Sequence, residues 1–172
     1  SEESFLDELK INYVTINCES INDSKILEIV KRQEMEYYIY TGGGIVRERL
    51  LKCTKIIHMH PGLVPEYRGS TCFYYSLIKD KEMGVTSFIM ASGIDTGPVI
   101  LREKHQIYPN VDIDKIIDNY NRSLTLVSTL QLYLKEDSFQ TLEQNLNGGN
   151  KYYIIHPLLK HIAISIVNSG RI

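Results

Sequence analysis

Two imidazoles and one carboxylate are the residues in this 172-residue chain whose types and settings could do chemistry together. His58 and His60 stand one residue apart at the end of an apolar run, and Pro61 fixes the backbone behind the second. Asp95 lies further on in S-G-I-D-T-G-P, between Gly93 and Gly97 and just before another apolar run. An imidazole that titrates near neutrality can donate a hydrogen bond or take a proton. A neighbouring carboxylate can orient the ring or receive that proton in turn. These are the parts of a small acyl-transfer site. Each residue also has a plainer reading. An isolated histidine at a strand end is more often a packed side chain, and an aspartate among glycines is more often a turn residue. The combination is what favours chemistry.

The elements that must position these residues are set out by periodicity. Residues 11–18 alternate apolar and polar with β-branched members, which predicts a strand. Asn22 or Asp23 can cap a helix over about 24–33, with Ile26, Leu27 and Val30 on one face. A second strand is expected at 36–41, ended by Gly42-Gly43-Gly44. A short helix at about 45–52 turns Arg47, Glu48 and Arg49 outward, and a third strand covers 54–60. This alternation implies crossover connections and a doubly wound, mostly parallel sheet of the α/β class. Ligands of such sheets sit beyond the carboxyl ends of the strands, where both Gly42–Gly44 and His58–His60 fall.

Residues 61–69, with two prolines and two glycines, predict a loop. Ser70 is expected to cap a helix to about Asp80 that buries Phe73, Tyr74 and Leu77. Strands at 84–91 and 98–107 flank a loop, Ser92 to Gly97. Asp112 opens the longest helix, to about Leu134, in which Ile113, Ile116, Ile117, Tyr120, Leu124 and Val127 keep helical spacing. Gly148-Gly149 precede a last apolar segment expected to end in a short helix. Residues 1–172 therefore read as one domain, with 150–172 an extension packing back on it.

Composition narrows the class. Hydrophobic content of 43% and charged content of 23% describe an ordinary globular chain. A formal charge of −2 gives no electrostatic reason for nucleic-acid binding. No run approaches the ~18 apolar residues of a membrane span, and no signal peptide opens the chain. Cys18, Cys53 and Cys72 are odd in number and far apart, which suits neither a disulfide framework nor structural zinc and fits a reducing cytoplasm. His105, His156 and His161 read as surface or packing residues, and no trio has metal-ligand spacing. Gly42-x-Gly44 lacks a third glycine at Arg47 and is not a dinucleotide fingerprint.

The run His58-Met59-His60-Pro61, Leu63-Val64-Pro65, Tyr67 and Gly69, then Gly84-Val85-Thr86 and Asp95-Thr96-Gly97-Pro98-Val99-Ile100, resembles the signature of the folate-dependent formyltransferases. One departure stands out: His58 occupies the place of the family's asparagine. The resemblance implies a Rossmann-like formyltransferase domain. Measured against it, the chain, which opens Ser-Glu-Glu-Ser without methionine, looks shortened by the family's first strand, loop, helix and second strand.

The same resemblance implies 10-formyltetrahydrofolate as donor and a primary amine as acceptor, with His60, His58 and Asp95 around the formyl carbon. Asp95 would hold the histidine or an ordered water and receive the amine proton. Ser92, Gly93 and Ile94 match the loop that recognises the pteridine, and Gly43, Gly44 and Ile45 lie at the folate-side loop. Arg68, beside Tyr67, is either a contact for an anionic substrate group or a solvated loop arginine. His58 is either a working hydrogen-bond donor to the formyl oxygen or the mark of a site altered in activity or substrate. An amino sugar on a nucleotide carrier is the foremost acceptor. Glycinamide ribonucleotide and methionyl-tRNA are the alternatives, as is a non-catalytic folate-binding remnant. The residues after the long helix are not basic enough for tRNA, which argues against a nucleic-acid partner; the expected partner is a small-molecule amine, with no membrane. A homodimer is left open.

Overall fold

The computed structural model describes residues 2–170. Its wound half begins with helix α2 (Ser24–Gln33), preceded by a short helix α1 (Glu2–Glu8). The Asp23 carboxylate accepts the Lys25 N–H at 2.9 Å and caps α2, a contact worth about 1 kcal/mol. Next come strand β1 (Tyr37–Tyr40), helix α3 (Glu48–Leu51) and strand β2 (Lys55–His60). β1 and β2 are parallel, with Tyr40 opposite His58.

Successive side chains of a strand point to opposite faces, and β2 uses this to join two cores. Ile56 packs with Leu27, Val30, Val46 and Leu50 on one side. Ile57 and Met59 pack on the other with residues that include Phe73, Leu77, Val85 and Ile113. Helices therefore cover both faces of the sheet, as the alternation of elements predicts.

Beyond β2 the pairing turns antiparallel. A short strand β3 (Tyr67–Gly69) and helix α4 (Cys72–Lys79) lead to β4 (Met83–Ile89) and β5 (Val99–His105), and the sheet order is β1-β2-β4-β5. His60 of β2 lies opposite Thr86 of β4 in an antiparallel ladder, and β4 and β5 form a hairpin. A parallel return needs a crossover long enough to carry the chain back along the sheet. Here residues 61–69 are spent in a loop and β3, and eight-residue α4 rises only about 12 Å. The chain re-enters the sheet from the end at which it left. The expected cap at Ser70 falls instead on Thr71, which adopts a left-handed backbone and makes no side-chain cap bond; Phe73, Tyr74 and Leu77 are buried as expected.

The long helix is α5 (Asp118–Glu136), entered through a π-helical turn at Ile113–Ile117. Ile113 and Ile117 are buried, but Ile116, Tyr120, Leu124 and Val127 are exposed, and Asn121, Thr125 and Thr129 face inward. A π-turn inserts an extra residue and shifts the phase of the helix downstream of it. A 3.6-residue count carried through it assigns the wrong face. Thr125 Oγ1 meets His105 Nε2 at 2.8 Å, which satisfies one of the inward polar groups.

A last strand, β6 (Asn150–Tyr152), runs parallel to β3, and helix α6 (Pro157–Asn168) buries Ala163 and Val167 in the core that contains Phe73 and Leu77. The strand expected at 11–18 is not formed. This segment joins no ladder, and Val14 is 78% exposed. Its alternation suits a sheet edge, but no strand among the described residues lies alongside to pair with it. No helix of the described residues is long and apolar enough to cross a membrane.

Candidate active site

The carboxyl ends of β1 and β2 open into a cavity of about 630 Å³. His58, His60 and Asp95 all line it. His60 is 2% exposed, and its Nδ1 stands 3.4 Å from Asp95 Oδ2. Its Nε2 lies 2.8 Å from the carbonyl of Tyr67, which can only accept, so Nε2 carries the hydrogen. In the neutral ring Nδ1 is then a bare lone pair facing a carboxylate. One proton between Nδ1 and Oδ2 completes the pair, and the arrangement is set to receive it.

Asp95 sits in the hairpin loop between β4 and β5, with a left-handed backbone at φ 50°. Its Oδ2 accepts the Gly69 N–H at 2.7 Å. β3 delivers that donor because it pairs with β6, at a close approach that only glycine permits: a Cβ at position 69 would lie 2.1 Å from the Tyr152 carbonyl oxygen. Gly97 allows the loop to close in the same way, since a Cβ there would meet the Ile89 carbonyl oxygen at 1.7 Å.

His58 is the second imidazole of the wall. Its Nδ1 lies 3.0 Å from the Tyr40 carbonyl and therefore donates, leaving Nε2 bare in the neutral form. Burial lowers the pKa of His58, outweighing the Tyr40 bond and the Asp95 charge. Burial likewise lowers that of His60, against the pull of Asp95.

These shifts carry a stability effect. An imidazole whose pKa is lower in the folded than in the unfolded chain binds fewer protons when folded, so stability rises with pH through that window. Above the ordinary value of about 6.5 the effect is absent, and as pH falls below it the folded state loses ground. The urea midpoint is expected to drop between pH 7.5 and pH 5.5. An unchanged midpoint would contradict the burial of neutral imidazoles described here.

The remaining candidates divide into two groups. Gly43, Gly44 and Ile45 line the cavity on one side, and Ser92, Gly93 and Ile94 on another. The Tyr40 hydroxyl donates to the Gly43 carbonyl and helps hold the first loop. Ile45 and Ile94 are exposed at the cavity, as are Tyr153 and Ile154. Arg68 and Tyr67, by contrast, do not line it. Arg68 is 6% exposed and donates from Nη2 to the Gly148 carbonyl at 3.3 Å, so it is neither a solvated loop arginine nor a cavity contact. The Tyr67 ring stacks on Tyr152 and its hydroxyl donates to Asp80; what it offers the site is its carbonyl, on His60. β3, too short to be read in the loop, turns both side chains away.

Sequence reading missed a third wall. Tyr74, Asp114, Asp118 and Arg122 also line the cavity. The Tyr74 hydroxyl donates to Asp114 at 2.6 Å, and Lys160 pairs with the other oxygen of that carboxylate. Burial pushes Asp114 up, but these two donors outweigh it and hold it below the usual carboxylate range. Asp118 pairs with Arg122 at 2.8 Å, yet burial raises its pKa overall. For Asp114, Asp118 and Arg122 the available signal is their place at the start of the long helix, and the π-turn conceals which side faces the cavity; Tyr74 reads only as a buried residue of α4. Among the described residues no group of three or more His, Cys, Asp and Glu is arranged to hold a metal ion.

The profile of the formyl transferase family matches residues 19–125 of this chain. The methionyl-tRNA formyltransferase of Finegoldia magna is 28% identical over 115 residues, which make up 64% of this chain and 36% of that protein. Among solved structures, the formyltransferase PseJ from Anoxybacillus kamchatkensis, in complex with UDP-4,6-dideoxy-4-formamido-L-AltNAc and tetrahydrofolate, superposes with a TM-score of 0.63. Its identity is 18%, over 88% of this chain and 79% of that one. The methionyl-tRNA formyltransferase from Clostridium thermocellum superposes at 0.66 with 14% identity, over 91% and 67% of the two chains. At these identities the structural likeness establishes the fold. The match to the curated relative spans about a third of that protein's length.

Proposed function

The chain belongs to the formyl transferase family, and on that premise we propose that it transfers a formyl group from 10-formyltetrahydrofolate to the primary amine of a nucleotide-linked amino sugar. The observation that carries this reading is the His60–Asp95 pair, one proton short and opening on a cavity walled by two small-residue loops. Backbone at Gly43–Ile45 and Ser92–Ile94 is accessible to a flat heteroaromatic ring, with Ile45 and Ile94 supplying apolar contact.

In the proposed reaction the amine nitrogen attacks the formyl carbon, and the proton it sheds passes to the space between His60 Nδ1 and Asp95 Oδ2. The bond from the formyl carbon to the donor nitrogen then breaks, and the pair returns the proton to that nitrogen. The amine hydrogen is thereby replaced by formyl, and tetrahydrofolate leaves. His58 enters as a hydrogen-bond acceptor from the attacking amine, because its only hydrogen at neutral pH is committed to Tyr40. The family's asparagine would instead donate, so His58 substitutes for it by a different contact.

The amino-sugar acceptor is supported by the third wall. Tyr74, Asp114 and Asp118 offer oxygens suited to sugar hydroxyls. The test is a comparison of kcat/KM for nucleotide-linked amino sugars, glycinamide ribonucleotide and methionyl-tRNA with one donor. An amino sugar is expected to lead by at least about a hundredfold, within the roughly 10⁴–10⁵ that a site built to hydrogen-bond its substrate can reach. A lead for methionyl-tRNA would overturn the acceptor assignment and leave the donor chemistry in place.

A further inference from the structure

We propose that Gln144 is a positioning residue for the reaction, holding the Asp95 loop by its carboxamide so that the carboxylate stays at His60. The inference rests on the reading of Asp95 and His60 as the proton-handling pair. Gln144 lies outside the stretch matched by the family profile, and nothing in its local sequence, L-E-Q-N-L, marks it.

Gln144 is buried, and its Nε2 donates to the carbonyl of Asp95 at 3.0 Å and to that of Gly97 at 2.6 Å. Both hydrogens of the amide are thus spent on the loop that carries the carboxylate. The orientation is determined by chemistry, because the flipped amide would set its oxygen against two carbonyl oxygens. Gln144 Oε1 is buried and has no hydrogen-bond partner among the described residues. The side chain therefore accepts an unpaired oxygen to hold the loop, a cost of the kind functional sites carry.

The loop needs holding. Asp95 has a left-handed backbone, which aspartate adopts more readily than most side chains but which still costs energy relative to the ordinary regions. Gln144 is itself anchored, since Leu142 exchanges two backbone bonds of 2.8 Å with Val99 at the start of β5. A few residues on, β6 fixes β3 and with it the Gly69 N–H on Asp95 Oδ2. One segment, 142–152, thus grips Asp95 from both sides: its backbone through Gln144 and its carboxylate through Gly69.

Two variants test the proposal. In Gln144→Leu both donors are lost, and kcat is expected to fall about 10- to 100-fold, the effect of a misplacement near 1 Å. Independently of turnover, the NMR titration of His60 should move to lower pH, because the carboxylate that favours its charged form has drifted. The other groups that face His60, namely His58 on β2 and Arg122 on α5, stay in place, as does the Tyr67 carbonyl. Cys72 of α4, which also senses Asp95, stays as well.

Gln144→Glu keeps the shape. Protonated, it can donate one bond to the loop; ionised, it repels both carbonyls. Its kcat relative to the parent is expected to rise as pH falls. An unmoved His60 titration in the leucine variant, or a glutamate-to-parent ratio independent of pH, would overturn the proposal. Absence of turnover in the parent would instead sink the functional reading, with the NMR titration still reporting whether Gln144 governs the pair.

Discussion

Replacement of Asp95 by asparagine is expected to lower the single-turnover rate of formyl transfer by about two to four orders of magnitude, the range that positioned proton transfer contributes. Asparagine has the same size, and its oxygen can still accept the Gly69 N–H. It also tolerates the left-handed backbone of this position at least as well as aspartate. What it cannot do is hold a proton against His60. The amide oxygen standing in the place of Oδ2 is far less basic than a carboxylate and leaves Nδ1 without a partner to share the amine proton. The fold and the two small-residue loops proposed to hold the folate should be untouched, so affinity for a non-reacting folate should change only a few-fold. Stopped-flow or quench-flow transfer alongside equilibrium folate binding separates the two. A rate within tenfold of the parent would remove Asp95 from the chemistry.

Gly69→Ala is the substitution expected to damage fold and site together. The residue has φ 107°, where side chains are rarely held, and a new Cβ would sit 2.1 Å from the Tyr152 carbonyl oxygen. Backbone strain of this kind costs of order 1–3 kcal/mol before the clash is counted. For a chain of this size that corresponds to roughly 2–4 °C of Tm per kcal/mol. Relief requires β3 to separate from β6, which withdraws the Gly69 N–H from Asp95. Thermal unfolding should shift by several degrees, and turnover should fall in protein that remains folded. Gly148→Ala is the control: its nearest contact is an ordinary 3.7 Å and its φ is not positive. Equal Tm values for the two variants would contradict the strain assigned to Gly69.

The parts legible in the sequence are those fixed by local physics. The helix over Ser24–Gln33 is readable because its cap and its apolar face, Leu27 and Val30, are set within ten residues. β2 is readable because Ile56, Ile57 and Met59 make a short apolar strand buried on both faces, and Gly93 with Gly97-Pro98 marks the break between β4 and β5. That His60 and Asp95 share one cavity is an expectation from the motif rather than from periodicity, and the structure brings them together at 3.4 Å.

The remainder depends on long-range partners. Residues 11–18 carry a strand pattern with no neighbour among the described residues, and pattern alone cannot supply a ladder. The antiparallel half of the sheet is decided by how far residues 61–82 travel, which no residue type announces. A 3.6-residue count turns Tyr120, Leu124 and Val127 inward, but the π-turn interrupts that count. Arg68 looks available because it sits in a loop-like stretch, but three residues of β3 pairing turn it inward. Gln144 acts through two backbone carbonyls almost fifty positions earlier, a contact without any local signature.

The central claim is that the cavity at His60 and Asp95 moves a one-carbon unit from a folate to an amine. Its most direct test is mass spectrometry of the protein incubated with 10-formyltetrahydrofolate and a nucleotide-linked amino sugar, with tetrahydrofolate quantified in the same sample. A formamide product is expected to appear in one-to-one proportion with tetrahydrofolate and to be lost in Asp95→Asn. Release of tetrahydrofolate without formylated amine, or product formation that persists undiminished in the variant, would contradict it.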